Sequence, residues 1–251
     1  KYTRAARNFA RFGQKRALSP ALSLAYKRVL AQKLSPRSVN ASVAALNRFF
    51  EAVGRPDCRL KTLRWQRPAF CAEERELSRA EYERLCRAAE QQKKPRLLLL
   101  LQALCATGIR VGELPFLTVE AARRGEAFVQ SKGKARTVFL VRALRQRLLQ
   151  YAAQRGIESG PIFITRTGKP IDRVAVWREM KALCRAAGVD ERKVFPHNLR
   201  HLFARIFYEQ EKDIAKLADL LGHSSIDTTR LYIISTGAEH RRKMEKMRLI
   251  L

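Results

Sequence analysis

Four short segments hold residue types suited to work on a phosphodiester. They are Ala106-Thr107-Gly108-Ile109-Arg110-Val111-Gly112-Glu113-Leu114, Lys132 in a Lys-Gly-Lys stretch, His197-Asn198-Leu199-Arg200-His201, and Leu221-Gly222-His223 with Tyr232 nine residues on. Breaking such a bond without a metal takes a nucleophile, positive donors for the charge that builds on the phosphoryl oxygens, and an acid for the departing alkoxide. Arg110 follows Gly108, a helix-stopping residue, and Arg200 lies one helical turn after His197. The two guanidiniums could therefore converge as a bidentate clamp on the non-bridging oxygens. Such a clamp does the work a metal ion does elsewhere, and no group of carboxylates or of His and Cys has the spacing to hold Mg²⁺ or Zn²⁺. Cys184, His197 and His201 do form the second half of a zinc-finger pattern, but Glu179, Met180 and Lys181 stand where its partner cysteine belongs. No metal and no cofactor is expected.

Caps and hydrophobic periods outline the elements that must position these residues. Ser35-Pro36 is an N-cap followed by proline at the first helical position; Val39, Val43, Leu46, Phe49, Phe50 and Val53 then recur at helical spacing until Gly54. Ser19-Pro20 opens an earlier helix through Leu22, Tyr26 and Leu30, and Ala5 to Phe12 predicts another before it. Residues 1–60 thus form a small helical domain. Residues 61–75 are a basic linker, lying in a stretch that carries glycine, two prolines and no clear period. From 76 onward Ser78 and Glu81 make a capping box, and a Leu-rich helix after Pro95 ends at Gly108. Ala127 to Ser131 and Arg136 to Val141 read as strands joined by the turn Lys132-Gly133-Lys134-Ala135, and Ile162 to Thr165 as a third strand. Helices follow over Asp172 to Ala187, His197 to Glu209, Asp213 to Leu221 and Asp227 to Tyr232, with a charged tail helix over 238–251. The expected class is mainly α with a small antiparallel β-sheet.

Composition points to the partner. Among 251 residues, 51 Lys+Arg stand against 23 Asp+Glu, a formal charge of +28, more than solubility requires. Residues 1–75 hold 17 basic and 4 acidic residues, so their charge is about twice as dense as that of the rest. A polyanion is implied, nucleic acid being the usual one, since neutralising phosphates releases condensed counterions. The longest apolar run, Leu97 to Leu101 continuing from Gln102 to Ala106, is half the length of a membrane span. Five cysteines without a C-x-x-C suit reduced thiols in the cytoplasm.

In their order, and with a hairpin between the first and third, the four segments resemble the tyrosine recombinase (phage integrase, Xer-like) family. The match covers residues 76–251 as that family's catalytic domain, and residues 1–60 look like its helical core-binding domain. The resemblance implies a site-specific recombinase of the integrase or transposase type. Tyr232 is the nucleophile that leaves a 3′-phosphotyrosine, Lys132 the general acid for the 5′ oxygen, Arg110 and Arg200 the phosphate clamp. His197 and His223 donate hydrogen bonds to the transition state, with His197 a proton shuttle for the tyrosine. It further implies double-stranded DNA recombination sites as partner, a homotetramer across two of them, tail contacts between subunits, and residence with the nucleoid. Lys134 is the rival to Lys132. Glu113 reads as positioning Arg110, and His201 as packed or pairing. Two other readings remain at this level: a type IB topoisomerase, and a DNA-binding regulator without catalysis.

Overall fold

The computed structural model describes residues 2–14, 16–64, 76–131, 133–233 and 245–247. The chain divides into two compact units, Lys1–Pro68 and Ala69–Leu251.

In the first unit α1 (Tyr2–Gly13), α2 (Pro20–Lys33) and α3 (Pro36–Ala52) pack around Phe9, Leu22, Tyr26, Val43, Leu46 and Phe50. Ser19 and Ser35 accept hydrogen bonds from the first-turn amides of Leu22 and Ser38, so both Ser-Pro pairs start helices as expected. Phe9 meets Tyr26 and Phe50 edge to face, with ring centroids 5.4 Å apart in both pairs. The chain after α3 is pinned back along it. Asn47 exchanges two hydrogen bonds with the backbone of Leu60 and Asn40 two with that of Leu63, all at 2.7–2.9 Å. Residues 61–64, read as the start of a linker, are thereby fastened to α3. The rest of the expected linker, 65–75, lies outside the described residues.

The second unit is built on α5 (Pro95–Thr107), whose leucines are buried on nearly every side. It packs against α4 (Arg79–Gln91), α7 (Arg142–Gln154) and α10 (Pro196–Glu211). The capping box is present at α4: Ser78 accepts from the Glu81 amide while the Glu81 carboxylate accepts from that of Ser78. Gly108, at φ +59°, ends α5 in the left-handed region. A Cβ there would come within 2.5 Å of the Phe203 ring, so the residue is fixed by conformation and close packing together.

Several elements differ from the sequence reading. The hairpin β1 (Glu126–Ser131) and β2 (Lys134–Phe139) pairs Ser131 with Lys134 and Gln130 with Ala135. Its turn is therefore two residues, not four, and Lys134 belongs to the strand. Gly133, at φ +74°, supplies the left-handed backbone so tight a turn needs. The expected third strand is absent from the described sheet, which has two strands. Residues 161–164 instead make isolated bridges to Thr118 and Pro170, because the proline at one position of each bridge has no N–H with which to extend a ladder. The single helix expected over Asp172 to Ala187 is two, α8 (Arg173–Lys181) and α9 (Cys184–Ala187), since at Leu183 the chain tightens to bond Met180 three residues back. Two helices escaped the reading: α6 (Val119–Arg124), a single capped turn, and α7, whose cap position holds Val141 and offers no side-chain acceptor. The last two helices before the tail are α11 (Ile214–Leu221) and α12 (Ile226–Ile233). Of the expected tail helix, only Glu245 to Met247 falls among the described residues, and these three are helical.

Candidate active site

Arg110 leaves α5 just beyond the Gly108 stop and caps a short 3-10 segment, Val111–Phe116. Its backbone N–H and its Nη1 both donate to the Glu113 carboxylate, at 2.9 and 3.0 Å. The other edge of the guanidinium faces outward: Nη2 lies 3.5 Å from the Gly222 carbonyl, and the side chain is 41% exposed. Arg110 is thus held from one side and open on the other.

Arg200 is 1% exposed, an unusual place for a guanidinium. It is compensated by the carbonyl ends of two helices. Nη1 donates to Gly108 O beyond α5 at 2.5 Å, and Nη2 to Leu221 O at the end of α11 at 2.6 Å. Those ends carry the negative pole of each helix. Burial first, then the neighbouring Arg110, brings its pKa down to about 10, so it is still a cation at neutral pH. Nη2 also lies 3.0 Å from His223 Nε2. Arginine can only donate, so Nε2 accepts and His223 carries its proton on Nδ1, which donates to Thr229 Oγ1 at 2.9 Å. Burial, followed by Arg200, Arg110 and Arg136, depresses the His223 pKa to about 4.

His197 occupies the first turn of α10 behind Pro196. Its Nε2 is 3.1 Å from the hydroxyl of Tyr232 on α12. Burial, then Arg200 and Arg110, lowers its pKa from the usual histidine value. Tyr232 is itself 6% exposed. The His201 ring stacks on it with centroids 4.2 Å apart and planes 15° from parallel, while the Arg200 guanidinium lies 5.8 Å from its centroid. Burial, then the neighbouring His197, takes His201 down to about 4, so a neutral imidazole faces the phenol.

Five of the residues singled out by sequence, Arg110, His197, Arg200, His223 and Tyr232, are therefore linked in one site. Lys132, the sixth, lies outside the described residues. The reading missed Arg136 on β2, which donates two hydrogen bonds to Glu113 at 2.9 and 2.8 Å. A signal existed. Arg136 alternates with Val138 and Leu140 and stands opposite buried Val129, so a charge occupies a core-facing register position. Burial by itself would raise the Glu113 pKa, but the bonds from Arg136 and the Arg110 amide outweigh it and hold the acid at about 2. A cavity of about 730 Å³ opens over Arg110, Glu113, Arg136, Gly222, His223 and Thr228. A second, of about 520 Å³, shares Arg110 and reaches His197 and Arg200. Among the described residues no three His, Cys, Asp or Glu side chains gather as a metal would require. None of the described helices is long and apolar enough to cross a membrane.

A buried tyrosine, two arginines and three histidines thus meet in one site. The phage integrase family profile matches residues 75–239, and the chain belongs to that family, the tyrosine recombinases, enzymes that break and rejoin DNA. Tyrosine recombinase XerA of Pyrococcus furiosus is 31% identical over 229 residues, which cover 88% of this chain and 77% of the relative. Tyrosine recombinase XerC of Erythrobacter litoralis is 36% identical over 165 residues, 62% of this chain and 54% of the relative. The crystal structure of a XerA recombinase aligns over 100% of this chain and 91% of its own, with TM-score 0.61 and 26% identity. XerH bound to palindromic difH substrate shares the fold at TM-score 0.76 and 20% identity, over 99% of this chain and 76% of that one.

Proposed function

We propose that the chain is a site-specific DNA recombinase in which the Tyr232 oxygen attacks a phosphodiester. The new bond joins tyrosine to the 3′ phosphate, the broken bond releases a 5′-hydroxyl, and attack by a 5′-hydroxyl reverses the step. The observation that carries this reading is the Tyr232 hydroxyl 3.1 Å from His197 Nε2, on a ring flanked by Arg200, with Arg110 open to the same site. A phenol ionises near pH 10, so it needs a base, and a histidine kept neutral by burial and two arginines is one. Arg110 and Arg200 hold the non-bridging oxygens, supplying the electrostatic stabilisation without a metal. His223 becomes a donor to the phosphate once the incoming anion raises its proton affinity and it takes up a second proton. Lys132 protonates the departing 5′ oxygen.

The first unit and the linker grip one side of the duplex, and phosphate contacts give most of the affinity. Two DNA sites are brought together by four copies, coupled through tail residues 238–251, and the protein works in the cytoplasm on the nucleoid. The relative XerH and a lambda integrase dimer crystallised on their DNA sites support the DNA partner.

The test is covalent capture. The chain is incubated with a pool of nicked duplexes of randomised sequence, and adducts that survive denaturant are digested for mass spectrometry. Nucleotide on Tyr232 is expected, with Tyr232→Phe still binding DNA but capturing none. An adduct formed by that variant would move the nucleophile elsewhere. On the captured sequence, Lys132→Ala should be slow on ordinary DNA and restored by a 5′-bridging phosphorothiolate, whose leaving group needs no acid. Equal failure on both substrates gives the acid role to Lys134 or another residue. Relaxation of a supercoil by single copies, with no pairing of sites, would favour a topoisomerase instead.

A further inference from the structure

The charges behind Arg110 do not cancel in pairs. Glu113, 5% exposed, receives four hydrogen bonds, two from Arg110 and two from Arg136, itself 10% exposed. A buried carboxylate against Arg110 alone would make that arginine one end of a neutral pair. A phosphodiester approaching the open Nη2 edge would then meet a dipole instead of a cation. The second guanidinium leaves Arg110, Glu113 and Arg136 with a net charge of +1. Each terminal nitrogen of Arg136 donates to Glu113, so its charge is spent first on that carboxylate. Asp219, the other acid on the cavity wall, is exposed and screened by water. Arg136 also underlies the turn that carries His223. A Cβ on Gly222 would lie 2.6 Å from its Cδ, so only glycine lets the turn sit this close.

We propose that Arg136 is a positioning residue of the reaction: it neutralises Glu113, so that Arg110 keeps its full charge for the phosphate, and supports the Gly222-His223 turn. The proposal rests on the reading of Arg110 as a phosphate clamp. Charge accumulates on the phosphoryl oxygens as the transition state forms, so a clamp reduced to a dipole loses more there than in binding the duplex.

The experiment uses the duplex captured by the native chain and reads the single-turnover rate of adduct formation, the affinity for DNA and thermal unfolding. If the native chain captures nothing, the recombinase reading fails before this one is tried. Arg136→Met should slow adduct formation about a hundredfold while DNA affinity changes less than about threefold. The double variant Arg136→Met/Glu113→Gln removes both charges, leaves Arg110 uncancelled, and should return to within about tenfold of native. Removing both charges would relieve a purely structural defect as well, so the role is read from variants that keep native thermal unfolding and DNA affinity, where a structural role leaves the rate of the single variant unchanged. Arg136→Lys keeps the charge and should also stay within about tenfold. The proposal is overturned if Arg136→Met matches the native rate, or if the double variant, folded and DNA-bound, is no faster than the single one. If Arg136→Met does not fold, Arg136→Lys and the double variant decide: a folded, DNA-binding and inactive Arg136→Lys overturns it. Failure of all three to fold assigns Arg136 to the fold and overturns it too.

Discussion

The clamp side of the site and the tyrosine side are held by different forces. Arg110, Glu113, Arg136 and Arg200 are fixed by charge-assisted hydrogen bonds whose donors and acceptors are mostly committed, and they stand beside the large core of the second unit. Tyr232 is held by the faces of His201 and Arg200, one hydrogen bond to His197, and a small apolar cluster with Ala204, Leu217 and Leu221 that is separate from that core. Preorganised charge cannot relax much without leaving buried groups unpaired. An eight-residue helix on a small cluster can open at far lower cost. This division suits the proposed reaction, in which the phosphate is held through cleavage and rejoining while Tyr232 attacks and is then released.

Removing the buried arginine is the strongest way to break the clamp side. Arg200→Ala leaves Gly108 O and Leu221 O without their donor, at roughly 1–3 kcal/mol for each unmet group. It should lower thermal stability measurably and reduce single-turnover cleavage by about a thousandfold. Full stability in that variant would show that the helix ends do not depend on the guanidinium.

The tyrosine side should yield to smaller changes and recover with shape alone. His201→Leu removes the stacked face and should slow adduct formation about tenfold, with DNA affinity unchanged. His201→Phe restores a neutral ring and should recover most of the rate. A Phe variant as slow as Leu would mean that the imidazole works through its protons, and the picture of a ring-held nucleophile would be wrong.

How much of this was legible in sequence follows the range of the interactions. Ser35-Pro36, the Ser78 capping box and Gly108 act within a few residues, so α3, α4 and the end of α5 could be read directly. The start of α7 has no such local signal at Val141, although Leu144, Leu148 and Tyr151 mark its buried face. The hairpin was read two residues too loose because Lys134 and Ala135 have little strand preference of their own and are recruited by pairing. In the site, the motif segments named the residues, but their contacts span the chain. His197 and Tyr232 meet across 35 positions and Arg110 and Gly222 across 112. Glu113 was read with Arg110 alone, because only the strand register shows that Arg136 completes it.

Acid should separate the two sides, with the smallest and most informative effect. His201 and His223 titrate near 4 in the folded chain against an ordinary 6.5, so the unfolded chain binds more protons between those values. Their contribution is complete above about pH 6.5 and is lost as the pH falls toward 4. Glu113 lies at about 2 against an ordinary 4.5, so its contribution stands above 4.5 and is lost only as the pH falls further toward 2. Hydrogen exchange, corrected for the intrinsic pH dependence of the rate, should therefore show α12 beginning to lose protection below pH 6.5 and continuing to lose it toward 4. The Val111–Phe116 segment and β2 should hold until below 4.5. His201→Phe should remove part of the first loss and none of the second. If α12 and β2 lose protection together in the native chain, the two sides form one cooperative unit, and the release of the tyrosine must then be sought in the DNA rather than in the weakness of its own cluster.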